Sequence, residues 1–416
     1  MENTYEKSTN IFNAIDNNDC VYIKNYFDLG NDINITNTRD ENLLHRAARK
    51  GSFETFSMLI NYGVKVNALN KYKETPLHVA VQFNKIEFVE LLLFKNANID
   101  VFDIKKRTPL HIACFRGYFD IITLLLKKGS KIHTPDEIGA RPIHYAVRSG
   151  KINIIKLIIE AGASLIDIDY RKNNVLHYAC MEGHDSLIPF LMDKFPFSDT
   201  KNIYEETPLH YAAKFCKKET VEFLLEKNHY IYAKDIDGLT PMDIKELDVE
   251  NKYFLEDYIE NFNYRLKEQD KIHLAIRNKD FELVKKISNF DPNSTDAYGN
   301  KCLYYAILNN DYKMVDLLLT NKANLKNLDK YGHSALLISF IAGNSRIILK
   351  ILEHKVDINE VYYNRSFLYT AIIRNDFLVV KSLLDNKISK DFVDDKGRDL
   401  KEIALEYAND KIYKLL

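Results

Sequence analysis

Little in this chain of 416 residues speaks for a reactive centre or a strongly charged partner. Its formal net charge is −1 at pH 7, so nothing global favours nucleic acid or an anionic membrane as partner. Arginine is scarce, 14 residues against 44 lysines. No apolar run approaches the length of a membrane span, so no membrane insertion is expected. The opening residues Met1 to Lys7 are polar and acidic without an apolar core, and no Sec signal is expected there. The five cysteines (Cys20, Cys114, Cys180, Cys216, Cys302) are odd in number and far apart, with no Cys-x-x-Cys pair. That speaks against a disulfide framework and for reduced, structural thiols in a cytosolic-type compartment. There is no nucleophile elbow, P-loop, Gly-x-Gly-x-x-Gly or His-Glu-x-x-His. With 46% hydrophobic and 28% charged residues, the chain has enough apolar material for an ordered core.

What is present is one phrase, repeated. Thr75-Pro76-Leu77-His78-Val79-Ala80 returns at Thr108, Arg141, Asn174 and Thr207, a step of 33 each time. The period extends back to Asn42 and Thr9 and forward to Thr240. It then loosens, with further copies beginning at Asp270, Lys301, Ser334, Ser366 and Asp399. A fixed period of this size marks a stacked-repeat architecture. The phrase also has a local meaning. Thr caps a helix, Pro takes its first position, and Leu and Ala point to one packing side.

Each unit continues alike. A break such as Arg116-Gly117 or Ser149-Gly150 precedes a second amphipathic stretch, for example Ile121 to Leu126. Gly129-Ser130, Gly162-Ala163 and Asn96-Ala97 end such stretches, where a left-handed C-cap is expected. Turns follow, as at Asp136 to Gly139, Asp235 to Gly238 and Asp329 to Gly332. The pattern predicts helix, turn, helix, hairpin. Helices of two or three turns are marginal alone and need neighbours on both sides.

These motifs resemble the ankyrin repeat. The family phrase is nearly intact in the units at 75, 108, 141 and 207, and the resemblance covers essentially the whole chain, more loosely beyond 270. It implies an all-α ankyrin solenoid of about 12–13 units. In that fold, hairpins project sideways and first helices line a concave face. Family members bind other macromolecules with the hairpin tips and that face.

Two places depart from the pattern. Pro189 falls inside a second helix, which predicts a shortened or bent one. At 246–269 the turn sequence is missing, so Asn263 to Gln269 runs straight into the next motif. The expectation is an array over 1–245, an irregular seam over 246–269, and a degenerate array over 270–416.

Seven histidines (His45, His78, His111, His144, His177, His210, His273) hold the same motif position. Lying about 10 Å apart at helix-packing distances, they are too far apart to share a metal, and a backbone bond between units is the natural role. No metal, cofactor or catalytic residue is expected.

Surface columns carry the functional reading. Ahead of each motif the hairpin tip carries Tyr72, Arg107, Arg171 and Tyr204, among others. Two and three residues past the motif Ala stand Arg49, Phe83, Phe115, Arg116, Arg148 and Phe215. Tyr and Arg are enriched in interface hot spots, and Phe in a row on a surface is unusual unless something covers it. The competing reading is packing, with long basic stems covering apolar surface. The tyrosines at Tyr145, Tyr178 and Tyr211 fit packing better, with each hydroxyl finding a nearby partner.

The expected function is a non-enzymatic scaffold or adaptor, monomeric and cytoplasmic, that binds proteins with acidic surfaces. The alternative is an effector of an intracellular bacterium or large DNA virus, delivered into a host cytoplasm and acting by binding host proteins. Lys411 to Leu416 falls inside a repeat, so no F-box-like tail of the kind some viral members carry is expected. A structural tether with one partner per array and a cryptic enzyme are the remaining classes.

Overall fold

The structure is a computed structural model, described over residues 11–194, 200–227, 229–243, 251–256, 271–287, 290–296, 299–329, 331–362, 365–394 and 397–416. Among these residues the elements are α-helices of four to nine residues, and extended pairing is limited to isolated bridges such as Thr36 with Asn42. The chain divides into two compact units, residues 1–163 and 164–416.

In the first unit the phrase builds what its residues predict. Pro76–Gln82, Pro109–Arg116 and Pro142–Arg148 each begin with Pro in the first turn. They stack on one another and on Leu43–Lys50. Behind them Phe53–Asn61, Ile86–Phe94, Phe119–Lys127 and Ile152–Glu160 form a second row. The motif leucines Leu44, Leu77 and Leu110 are fully buried, as are Leu59, Leu92, Leu125 and Ile158 of the second row. Each buried Leu or Ile removes enough apolar surface from water for about 1.5–3 kcal/mol. Such burial is what makes helices this short persist.

The second unit repeats the scheme. Val175–Met181 packs on Pro208–Phe215, and Lys271–Arg277, Cys302–Leu308 and Ala335–Ala342 stack in turn. Phe367–Ile373 and Leu400–Tyr407 continue it. The helix expected to suffer from Pro189 is Leu187–Lys194. Its proline does not stand in mid-helix. The helix starts late, so Pro189 falls in its first turn, where the missing N–H has no helical partner to lose. The seam expected at 246–269 lies outside the described residues except for 251–256, which are helical. There Asn251 Nδ2 donates to the carbonyls of Ala213, at 3.0 Å, and Cys216, at 2.8 Å.

The caps are as expected. Gly129, Gly162 and Asn96 have φ of 87°, 98° and 59°, and the N–H of Ser130 reaches the Leu125 carbonyl at 3.0 Å. The five cysteines are unpaired thiols, four of them buried.

The turns between units carry a feature the sequence pattern understates. An Asx side chain opens most of them, with Tyr362 in its place in the turn that ends at Arg365. Asp103 Oδ1 accepts from Lys105 N–H at 2.9 Å and Arg107 N–H at 2.8 Å. Asp136 and Asp169 do the same for their own turns. The fourth turn residue is left-handed. Gly139, Gly238, Gly299, Gly332 and Gly397 fill it in five units, and Asp40, Lys73, Lys106, Lys172 and Glu205 fill it in five others. A side chain there costs about 1–2 kcal/mol, partly offset because Gly loses more freedom on folding. Lys106→Gly should therefore stabilise by about 0.5–1 kcal/mol, read as a rise of a few degrees in Tm. A fall in Tm would mean that the Lys106 side chain makes a compensating contact.

Candidate functional site

The motif residues are structural, and the histidine shows how. The Thr75 N–H donates to His78 Nδ1 at 3.1 Å, leaving Nε2 to donate to the Arg107 carbonyl of the next repeat at 3.3 Å. His45 reaches Glu74 O at 2.8 Å, His177 reaches Glu206 O at 3.1 Å and His210 reaches Leu239 O at 3.3 Å. Each imidazole thus closes its own helix start and ties one repeat to the next. Burial, only partly opposed by the backbone bonds, lowers His78 and His177 to about 4 and His111 to about 3. Neutral imidazole is the form these bonds need. Among the described residues no three His, Cys, Asp or Glu side chains converge as metal ligands would.

The tyrosines one place on are likewise tethered. Tyr145 donates to Asp136 at 2.7 Å and Tyr178 to Asp169 at 2.8 Å, each fastening a helix to the carboxylate that opens its own turn. Tyr211 donates to Glu206, which closes its turn, and accepts from Asn202 Nδ2 at 3.3 Å, the residue that opens it. A packing role accounts for all three.

The hairpin tips form a chained edge within each unit. Lys71 N–H donates to Arg39 O at 3.0 Å, Ile104 to Tyr72 at 2.8 Å and Glu137 to Lys105 at 3.0 Å. In the second unit Ile203 donates to Arg171 and Ile236 to Tyr204, both at 2.8 Å. Tyr72, Arg171 and Tyr204 are exposed at these tips. Arg107 is different. Its guanidinium braces its own turn, with Nε 2.8 Å and Nη2 2.7 Å from Asp103 Oδ2.

The helix-end column is where aromatic and basic side chains meet. In the first unit Phe83 is 41% and Phe115 38% exposed, both large for phenylalanine. Arg49 lies over the Phe83 ring at 5.6 Å, while Glu41 holds its Nη2 at 2.6 Å. Arg148 lies over Phe115 at 5.1 Å and Arg116 at 6.0 Å, with Tyr145 edge-on to the same ring at 6.2 Å. Arg49 with Phe83, and Arg116 and Arg148 with Phe115, are thus two ring–guanidinium clusters that share one helix-end ladder across four repeats. In the second unit Phe215 is 46% exposed with Lys214 over its ring at 4.9 Å. Exposed cation–π pairs of this kind are worth about 0.5–1 kcal/mol each. They leave the Phe83 and Phe115 rings and Arg116 exposed, while Arg49 is held by Glu41.

One functional-looking residue was missed by register alone. Arg277 stands two places past Ala275, as Arg49 does past Ala47, yet it is buried. It bonds Asp296 Oδ2 at 3.0 Å and lies over the Tyr305 ring at 3.9 Å and the Tyr230 ring at 4.9 Å. The only sequence signal was Tyr305 at the motif position that elsewhere fastens a turn carboxylate.

The family profile described as Ankyrin repeats (3 copies) matches residues 11–103, 102–169, 164–235 and 272–362. A protein of Fowlpox virus (strain NVSL), named as an ankyrin repeat protein (FPV223), is 30% identical over 122 residues, which is 29% of this chain and 86% of that protein. Among the described residues no helix is long and apolar enough to cross a membrane. With the period, the capping histidines and the stacked helix pairs, the profile match over most of its length places this chain in the ankyrin repeat family.

Proposed function

We propose that this chain is a non-enzymatic protein-binding scaffold whose first unit presents the Arg49–Phe83–Phe115–Arg116–Arg148 ladder to a partner with an acidic surface. Ankyrin repeats are generally protein-interaction modules. The observation that carries the reading is the exposure of Phe83 and Phe115 beneath guanidinium groups on a rigid stack. A carboxylate can bond an arginine there while its aliphatic stem covers the ring, and desolvating such pairs gives specificity. Affinity would come from these few anchors and not from total area. Tyr72, Arg171, Tyr204 and Phe215 extend the reading to the tips and to the second unit. The likeness to a Fowlpox virus protein favours a host-directed version, an effector that acts by occupying a host protein in the cytoplasm.

The combined variant Phe83→Ala, Phe115→Ala, Arg116→Ala and Phe215→Ala tests this. Its helical circular dichroism should match the parent, because all four residues sit at helix ends and none is in the core. Partner capture should fall at least tenfold. Unchanged capture would remove this face from the account.

A further inference from the structure

Within the second unit, the helix-end column of the C-terminal repeats is covered rather than open. Ile341 and Ile373 stand two past the motif residue, as Gln82 and Phe115 do in their repeats, and Ala342 stands three past it, as Phe83 does. They are only 2%, 6% and 4% exposed. Beside them, Arg374 and Gly343 meet a segment from far away in sequence, residues 164–172. Arg374, three places past Ala371 as Phe83 is past Ala80, donates from Nη2 to the Ile166 carbonyl at 3.3 Å. Its Nη1 donates to Phe340 O at 2.5 Å, which fixes the guanidinium across the two helix ends. Ile168 lies so close to Gly343 that a Cβ on that glycine would meet Ile168 Cδ1 at 2.6 Å. Asp167 sets its carboxylate near Tyr362 and Tyr369. After burial itself, its charge helps hold the Tyr369 phenol up at about 12 and raises Tyr362. Leu165, Ile166, Asp167 and Asp169 are buried in this arrangement.

We propose that the helix-end surface formed by Phe340, Gly343 and Arg374 is a recognition site for a protein segment that alternates large aliphatic side chains with carboxylates, and that residues 164–172 occupy it in cis as a built-in competitor. The seated residues define the ligand: an aliphatic side chain against Gly343, a main-chain carbonyl on Arg374 and a carboxylate one residue before the aliphatic anchor. The glycine is required twice over, by its φ of 66° and by the approach of Ile168. The cis segment is an imperfect ligand. Burial, and then the Arg374 guanidinium, holds the Lys172 ammonium below its usual range, so two cations crowd one edge of the docked loop. A partner segment with an acidic residue at that edge would gain where the cis loop loses. A tethered loop competes at high effective concentration, so a free segment binds only in proportion to the undocked fraction. The inference rests on reading the chain as a protein binder but uses none of the first unit's ladder.

The test uses the full chain and a fluorescein-labelled peptide with the sequence of residues 164–172. Ile168→Arg cannot fit against Gly343, so hydrogen exchange at 164–172 and 340–343 should rise. The peptide should then bind at least tenfold more tightly than to the parent chain. Adding Arg374→Glu should remove that binding, and a peptide carrying Lys172→Glu should bind the Ile168→Arg chain better than the original peptide. If circular dichroism shows that Ile168→Arg has unfolded the unit, Ile168→Ala gives the same order of effects at smaller size. Unchanged exchange would show that the loop is not seated there. Raised exchange without peptide binding would show that the surface is only a packing contact. Either result overturns the proposal, and neither bears on capture by the first unit's ladder.

Discussion

Arg277→Ala is expected to destabilise the second unit by about 3–5 kcal/mol, a loss large enough to separate its melting from that of the first unit. The magnitude follows from what is left behind. Asp296 is 6% exposed at its side chain and accepts from Arg277 at 3.0 Å and from Tyr305. Removing the guanidinium strands a carboxylate in a site too dry to solvate it, and withdraws the cation from the Tyr230 and Tyr305 rings. Asn300 Nδ2, 2.8 Å from the Tyr305 hydroxyl, does not neutralise the charge. The Asp296 Oδ1 bond to the Asn300 N–H, at 2.9 Å, holds the adjoining turn, so the damage would spread to the next repeat. The double variant Arg277→Met with Asp296→Asn removes both charges and keeps the turn acceptor. It should recover most of the loss. Thermal or urea unfolding of the full chain reads both. A single variant as mild as the double would show that the pair is not buried in solution.

Acid should unfold this chain in a window where carboxylates barely titrate. His78 and His177 titrate near 4 and His111 near 3 in the folded protein, mainly because of burial, and His45 and His210 are lowered for the same reason. Unfolded histidine titrates near 6.5. The folded chain therefore refuses a proton that the unfolded chain accepts, and unfolding takes up protons throughout the interval. The stability these groups lend is complete above about pH 6.5 and is lost as pH falls toward 4. His78 and His177 each contribute a slope of about 1.4 kcal/mol per pH unit there, or about 2.5 kcal/mol by pH 4.5. Since these histidines recur in successive repeats, His45, His78 and His111 in the first unit and His177 and His210 in the second, the losses accumulate along each stack, and Tm should fall by more than about 10 °C between pH 7 and 5. His78→Gln should lower stability at pH 7 and flatten the pH dependence by about one proton. A Tm independent of pH over that range would mean that the imidazoles are open to water.

Much of this was legible in the sequence, for a physical reason. Period and capping are local, so Thr75, Pro76, Leu77 and His78 specify their own helix start wherever they recur. The inter-repeat role of the histidine followed from that spacing. The column carrying Phe83 and Phe115 followed too, because helix geometry fixes what lies two and three places past a buried alanine. Register could not say what covers a column. Arg49 and Arg277 share a register, yet one lies over an exposed ring and the other is enclosed between Tyr230 and Tyr305. The approach of Arg374 to Ile166 spans 208 residues and leaves no periodic trace. The lysines in left-handed turns were hidden for another reason. The Asx acceptor fixes the turn strongly enough that glycine is dispensable at its fourth place.

The central claim is that a partner binds the ladder at the helix ends and not the opposite row of second helices. Site-specific photocrosslinking decides this most directly, with benzoylphenylalanine placed singly at Phe83 and at Phe94. Both residues are exposed, Phe94 at 77%, and Phe94 ends the second helix of the same repeat, so either should accept the probe without loss of fold. The account predicts that the probe at Phe83 crosslinks the captured partner and the probe at Phe94 does not. Crosslinking from Phe94 with none from Phe83 would contradict it.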